Sequence, residues 1–176
     1  TGTNTPELLA CSWKICRQDS ITAEILQILC GYLVKQSLEA MTSSNPTCKL
    51  ILKWPNDLIL IKDGKWGKVC GILVESVSRG NDEQMVIGIG INISDGGKNV
   101  DVEFPIGFTD WYSNEITKES LLSQINCRMA GLFESINGIP QSNFENIKGH
   151  AFDAVENGFS ECKILFYRNN KVSFQE

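Results

Sequence analysis

The chain has 176 residues, a formal net charge of -5 and no run of basic residues. This length predicts a single domain that buries its own core, and the acidic balance argues against a nucleic-acid partner, because phosphate backbones are bound mainly by Lys and Arg. The sequence has no signal peptide and no apolar run of roughly 18 residues, so we expect no membrane span and a cytoplasmic protein, with an organelle not excluded.

Cysteine and histidine usage limits the chemistry that the chain can support. Its 7 cysteines form no C-x-x-C pair, and His150 is the single histidine. An odd number of scattered thiols favours reduced, partly buried cysteines over disulfides or a zinc site. We therefore expect no protein-bound metal and no Ser-His-Asp catalytic machinery.

Apolar periodicity predicts a strand, a helix and a second strand in the first part of the chain. The strand is expected over residues 8–15. Ser20 is the expected N-cap of a helix that reaches about Met41, because apolar residues recur there at helical spacing. The polar loop TSSNPT ends this helix, and the next strand is expected over residues 49–54.

The stretch from Leu50 to Ser94 is the densest in strand signals. The segment KWPND stops the strand before it, since proline has no N–H to donate to a ladder. Two strands are expected over 58–62 and 69–76, joined by a turn at Asp63 and Gly64, and a third over 85–94.

Two glycines, Gly88 and Gly90, interrupt the apolar run MVIGIGINIS of the third strand. Alternate residues of a strand point to the same face. The pair therefore predicts a flat surface without side chains, which a ligand or another backbone can approach closely.

The rest of the chain predicts a long irregular connection followed by two helices and a hairpin. The connection is DGGKNVDVEFPIGFTDWYSNEIT, and Thr117 is the expected N-cap of the helix that follows it. A shorter helix is expected over 143–155, and ECKILFYRNNKVSFQE is expected to form two strands about Asn169 and Asn170. These elements predict an α+β domain with an antiparallel-leaning sheet flanked by helices.

KWPND, GKVCGILVES and GIGIN, in this order and spacing, closely resemble the catalytic domain of biotin protein ligases. The resemblance implies a mixed, largely antiparallel sheet flanked by helices over 1–158, and the first hairpin of a truncated C-terminal β domain over 159–176. It also implies ATP-dependent formation of biotinyl-5'-AMP, with Mg²⁺ accompanying the ATP. The biotin would then pass to a lysine in the carrier domain of a carboxylase.

The resemblance also assigns residues to the phosphate end of the site. Lys68 matches the lysine that touches the biotin carboxylate and the adenylate phosphate, and Asn56 matches an asparagine that faces the α-phosphate. Asp57 matches a neighbouring carboxylate, and Lys53 and Trp54 would line or support the same wall. Without the resemblance, Lys68 would be interpreted as a solvated lysine, and a core position for Trp54 would be as plausible as a ligand contact.

The glycines match positions at which the ligands lie close to the backbone. Gly71 corresponds to a glycine beside the biotin rings, Gly88 and Gly90 to positions under the nucleotide, and Asn92 to a residue that reaches the triphosphate or its Mg²⁺. Close strand packing is the alternative interpretation of Gly88 and Gly90.

One motif of the family, a Gly- and Arg-rich loop that precedes the first strand, has no counterpart in the sequence. Either the sequence is a fragment or the protein is a homologue that has lost this loop, and we expect the chain alone to bind biotin and ATP weakly. Two alternatives to a biotin ligase stay open, namely a lipoate- or octanoate-type ligase of the same superfamily and a non-catalytic biotin-binding relative. The sequence does not predict the oligomeric state.

Overall fold

A single five-stranded sheet organises the part of the chain that the computed structural model describes, residues 6–16, 21–41, 47–79, 82–94, 96, 105–113, 115–136 and 141–168. The elements are β1 (Glu7–Cys16), α1 (Ala23–Ala40), β2 (Cys48–Lys53), β3 (Asp57–Lys62), β4 (Lys65–Arg79), β5 (Asp82–Ser94), a short 3-10 helix (Thr109–Trp111), α2 (Lys118–Ile136) and α3 (Gln141–Arg168). The strands follow the order β1-β5-β4-β3-β2, and all neighbours are antiparallel. This architecture confirms the predicted α+β class.

The core lies between one face of the sheet and the helices. Leu26 and Leu29 of α1 are fully buried in the same cluster as Ile72 of β4 and Ile87 of β5. Complete burial of one such side chain contributes roughly 1.5–3 kcal/mol. Packing of this kind fixes the sheet, and a second, smaller cluster of Ile51 and Ile59 is buried apart from this core.

The starts of α1 and α2 are capped by threonine hydroxyls. The N–H of Ile25 donates to Thr22 Oγ1 over 3.4 Å, and Thr22 has extended dihedral angles, so Thr22 is the N-cap of α1. The predicted cap Ser20 lies outside the described residues. The predicted cap of α2 is confirmed, because the N–H of Ser120 donates to Thr117 Oγ1 over 3.2 Å.

The predicted arrangement, in which alternate residues of β5 point to opposite faces of the sheet, is confirmed. Ile87, Ile89, Ile91 and Ile93 are buried in the core, while Gly88, Gly90 and Asn92 point to the opposite face. In the sheet, Gly90 stands between Ala10 of β1 and Gly71 of β4. The residues of this second face include the exposed side chains of Leu8 and Leu73.

The structure corrects the prediction for the end of the chain. The helix predicted over 143–155 is confirmed but longer than expected, because α3 runs from Gln141 to Arg168, and the strand predicted over 161–168 is therefore wrong. A hairpin without a third strand is marginal in water, whereas a continued helix bonds its backbone groups within itself. The turn at Asn169 and Asn170 and the second strand lie outside the described residues, and the boundary between 1–158 and 159–176 stays a prediction.

Candidate functional site

A β-bulge at Val69 determines which side chains of β4 face the open side of the sheet. Cys70 pairs with Leu58 of β3, but Lys68 pairs with Ile59, so Val69 is the extra residue. In a regular strand, residues three apart point to opposite faces. The bulge instead places Lys68 and Gly71 on one face, and bulges commonly redirect a side chain beside a functional site.

Lys68 is held over this face by the carboxylate of Asp57. Its Nζ lies 2.6 Å from Asp57 Oδ1, and Lys53 Nζ lies 3.4 Å from Asp57 Oδ2. Asp57 is 9% exposed, so its charge would be costly to bury without these partners. Two ammonium groups share one carboxylate, and the net positive charge suits an anionic ligand.

The missing side chain of Gly71 gives Lys68 its room. A Cβ at Gly71 would lie 3.1 Å from Lys68 Cε and 3.2 Å from Nζ, closer than such atoms normally approach. A Cβ at Gly90 would meet no atom within 4 Å. A side chain at Gly71 would therefore crowd the ammonium group, whereas Gly90 keeps a surface bare.

These residues line a cavity of about 350 Å³ at the bulge, which we call the site cavity. Its lining comes from β1, β4, β5 and the connection before α2: Leu8, Lys68, Cys70, Gly71, Gly90, Asn92, Pro105 and Ile106. Burial raises the pKa of the Cys70 thiol, so this cysteine stays protonated and is no nucleophile at neutral pH. Of the residues predicted for the site, the structure brings Lys68, Gly71, Gly90 and Asn92 into one cavity wall.

Other predicted residues lie beside the cavity without lining it. The Asn56 side chain donates from Nδ2 to the Ile72 carbonyl over 3.0 Å, and the Asn56 carbonyl accepts from the Ile72 N–H over 2.8 Å, so Asn56 ties the KWPND turn to β4. Trp54 is 59% exposed, so the alternative that placed it in the core is wrong. Gly88 pairs with Leu73, two residue pairs farther along the sheet than the Gly71 and Gly90 pair.

The backbone of Lys68 is bonded to the connection before α2. Its N–H donates to the Pro105 carbonyl over 2.8 Å, and its carbonyl accepts from the Gly107 N–H over 2.9 Å. Asn92 Nδ2 donates to the same carbonyl over 3.0 Å. The contribution of residues 105–107 was not predicted from the sequence, in which the small residues Gly67 and Gly107 are the signal for a close approach.

The described residues contain no group of three or more His, Cys, Asp or Glu side chains that could hold a metal ion. No helix described in the structure is both long and apolar enough to cross a membrane. Among the described residues that line the site cavity, Lys68 is the charged one, and Asp57 and Lys53 lie behind it.

The strands that carry the three motifs lie within a stretch that matches a family model. The family model described as "Biotin/lipoate A/B protein ligase family" matches residues 9–92, a little under half of the chain. Residues 9–92 are therefore similar to this ligase family, and the resemblance drawn from the three motifs is confirmed.

The following individual relatives are named as biotin ligases. A curated biotin–[acetyl-CoA-carboxylase] ligase of Paracoccus denitrificans is 46% identical over 50 residues, which cover 28% of this chain and 19% of that protein. A solved biotin protein ligase of Aquifex aeolicus has the same fold, with a TM-score of 0.60 at 21% identity over 82% of this chain and 59% of that one. The structure of that organism's ligase in complex with biotin and ATP gives a TM-score of 0.57 at 21% identity, over 81% and 56% of the two chains.

The matched regions thus span about a fifth of the curated relative and under three fifths of the solved chains. At this identity the solved structures establish the fold alone, and the matching family model describes a family of protein ligases.

Proposed function

We propose that the chain is the catalytic domain of an ATP-dependent biotin protein ligase. In the first step a biotin carboxylate oxygen would attack the α-phosphorus of ATP, which gives biotinyl-5'-AMP and releases pyrophosphate. In the second step the amine of a carrier-domain lysine would attack the acyl carbon, lose its proton and release AMP. The observation that carries this proposal is the Lys68 ammonium, backed by Asp57 and Lys53, at the wall of a glycine-lined cavity.

The first step requires two anionic groups to approach each other, so placed cations are the main catalytic need. Lys68 would lie between the biotin carboxylate and the α-phosphate, and it would neutralise the charge that grows on the phosphoryl oxygens. No covalent bond to the protein is needed. Asp57 would fix the direction of the ammonium group, and Lys53 would keep the local charge positive.

The bare wall at Gly71 and Gly90 would accept the flat parts of the ligands. Gly71 is the proposed biotin contact, and Gly88 and Gly90 are the proposed contacts beneath the nucleotide. Asn92 uses Nδ2 on the Lys68 carbonyl, so Oδ1 is the atom by which it would reach Mg²⁺ on the triphosphate. An amide oxygen is a ligand type that Mg²⁺ accepts.

Asn56 and Trp54 would act from the KWPND turn. The bond from Asn56 Nδ2 to the Ile72 carbonyl of β4 keeps the KWPND turn beside the cavity. From this position Asn56 would act at the α-phosphate. The exposed indole of Trp54 would support the same wall or meet the ligand.

The proposed partner is the lysine-bearing carrier domain of a carboxylase, and the proposed compartment is the cytoplasm. The curated relative is named for acetyl-CoA carboxylase, which supports a carrier of that kind. The described cysteine side chains are all free thiols, which supports a reducing compartment.

Labelling of a carrier domain with biotin and ATP tests the proposal. The protein in its natural full length is incubated with the carrier, and a carrier whose acceptor lysine is changed to arginine serves as the control. We expect biotin on the first carrier only, together with release of pyrophosphate. Absence of both products with Lys68 intact would refute a biotin ligase.

A lipoate- or octanoate-type ligase is the second candidate, because the matching family model covers lipoate as well as biotin ligases. Thermal unfolding with each acid separates the two. We expect biotin to raise the melting temperature and lipoate to leave it unchanged. Biotin and ATP binding without any pyrophosphate release would instead identify a non-catalytic biotin-binding relative.

A further inference from the structure

Lys68 is fixed through its backbone by a segment that lies far from it in the chain. Residues 105–107 run parallel to β4 at this point and bond to both the N–H and the carbonyl of Lys68. Together with the Asn92 bond to the same carbonyl, these contacts form what we call the backbone clamp: Lys68, Asn92, Pro105 and Gly107.

The clamp depends on a contact between two glycines. A Cβ at Gly67 would collide with Gly107 N and with the Ile106 carbonyl carbon, and a Cβ at Gly107 would lie 2.7 Å from the Gly67 oxygen. Both collisions are with backbone atoms, which cannot rotate away as a flexible side chain can. Any side chain at either position must therefore push residues 105–107 away from Lys68.

Such a movement would change the site cavity in two ways. Pro105 and Ile106 line the cavity, so the movement of their segment would open its wall. Loss of the two backbone bonds would also release Lys68 beside the bulge, where its direction determines the distance to Asp57. A displacement of about 1 Å at such a group can lower a rate by 10²-fold.

We infer that Gly67 and Gly107 are positioning residues, which hold Lys68 in its place through the backbone clamp. The chemical part of this inference rests on the proposed function, since it assigns the ammonium group to adenylate formation. The geometric part rests on the hydrogen bonds and the glycine contact alone.

Two variants and a matched control test the chemical part in the full-length protein. Gly67→Ala and Gly107→Ala are compared with Gly131→Ala, an exposed helical position where a Cβ meets nothing within 4 Å. We expect kcat for biotinyl-AMP formation to fall at least tenfold in both clamp variants, with a smaller rise in the KM for biotin, and no change in the control. Loss confined to KM would show that the clamp shapes the cavity without positioning Lys68.

A double-mutant cycle separates positioning from general destabilisation. If Gly107 acts through Lys68, Gly107→Ala lowers the residual rate of the Lys68→Ala protein by less than twofold. An equal tenfold loss in both backgrounds would overturn the inference, because the glycine would then act independently of the lysine.

Amide hydrogen exchange tests the geometric part without any activity. We expect the N–H groups of Lys68 and Gly107 to be protected in the unmodified protein and to exchange at least tenfold faster in Gly107→Ala. Unprotected amides in the unmodified protein would overturn the clamp. Protected amides in a protein that makes no adenylate would refute the proposed function and uphold the clamp.

Asn92→Ala keeps the test decisive where a glycine variant fails to fold, because it removes one bond without adding an atom. Its expected effect is faster exchange at the Gly107 N–H, which shares the Lys68 carbonyl with Asn92. Unchanged exchange would remove Asn92 from the clamp.

Discussion

Two cavities on this domain have similar size but very different construction. The site cavity has about 350 Å³, and a second one of about 460 Å³, here called the outer cavity, lies between α1, β2 and α3. The outer cavity also carries polar side chains, among them Lys35, His150 and Asp153. His150 and Asp153 are exposed positions of a helix, whereas Lys68 is bonded through its backbone and paired with a buried carboxylate.

The difference shows that fixed polar groups, more than volume, identify a site for chemistry. An exposed long side chain loses conformational entropy when it orders around a ligand. Groups held by strands and second contacts have lost that entropy on folding, which is why rigid elements support precise sites. The smaller cavity is therefore the better candidate for catalysis.

Of the changes that test this comparison, removal of the Lys68 ammonium group should have the largest effect. We expect Lys68→Ala to lower the rate of biotinyl-AMP formation by about 10²–10³-fold, the range found when one group that stabilises transition-state charge is removed. Pyrophosphate release at saturating biotin and ATP measures this rate. The fold should survive, because the Lys68 side chain is 40% exposed.

Lys35→Ala is the matched control, since it removes a lysine that lines the outer cavity. Its ion pair with Glu39 on the surface of α1 contributes only about 0.3–0.5 kcal/mol. We expect an unchanged rate. Equal losses in the two variants would contradict the distinction between the cavities.

The sequence predicts the strands of this site better than their registration. The alternation along β5 was readable, because an isoleucine at every second position needs one buried face. The bulge at Val69 was not, since an extra residue in β4 is defined by the partner strand and leaves the alternation of a short run ambiguous. Residues 105–107 have no periodicity, so only tertiary hydrogen bonds reveal their place beside Lys68.

The end of the chain shows a different limit of prediction. The run ECKILFYR carries aromatic and branched residues suited to a strand, but it has no glycine or proline to stop a helix that begins at Gln141. Short apolar runs fit either structure by periodicity alone. The helix therefore continues to Arg168, where the turn signals begin.

Two glycine variants, one at each cavity, should have effects of intermediate size and should distinguish the roles of the two cavities. Gly90→Val adds a side chain on the bare wall of the site cavity, where a Cβ meets no protein atom. We expect it to weaken biotin or ATP binding at least tenfold and to leave the free energy of unfolding unchanged or raised by about 0.5–1 kcal/mol. Titration calorimetry with each ligand and denaturant unfolding measure the two quantities.

Gly158→Ala should instead lower stability and leave ligand affinity unchanged. A Cβ at Gly158 collides with the Leu52 carbonyl group, so the variant pushes α3 from the edge strand at the outer cavity. Such overpacking typically costs about 1–3 kcal/mol. We expect reduced stability with unchanged ligand affinity, and a loss of affinity in this variant would show that the two regions are coupled.

The smallest effect concerns the rigidity of the site wall, which thiol labelling can report. Cys70 lines the site cavity but is 1% exposed, whereas Cys16 and Cys127 are exposed. Burial raises the pKa of Cys11 to about 11 and that of Cys70 still further, and only a thiolate reacts with iodoacetamide. At pH 8 we expect rapid modification of the two exposed cysteines, at least tenfold slower modification of Cys11, and none of Cys70 in the folded protein.

The pH dependence of this labelling provides its internal check. Because the folded protein retains the Cys11 proton up to about pH 11, the Cys11 rate should rise roughly tenfold per pH unit between pH 8 and 10. Over the part of this range above pH 9, the unfolded chain loses thiol protons that the folded chain keeps, so the free energy of unfolding should fall. Mass spectrometry of the labelled peptides measures each cysteine separately. If Cys70 were modified at pH 8 as fast as Cys16 is, the strands around the bulge would have to open readily. The groups of the site cavity would then be no more rigidly held than the exposed groups of the outer cavity.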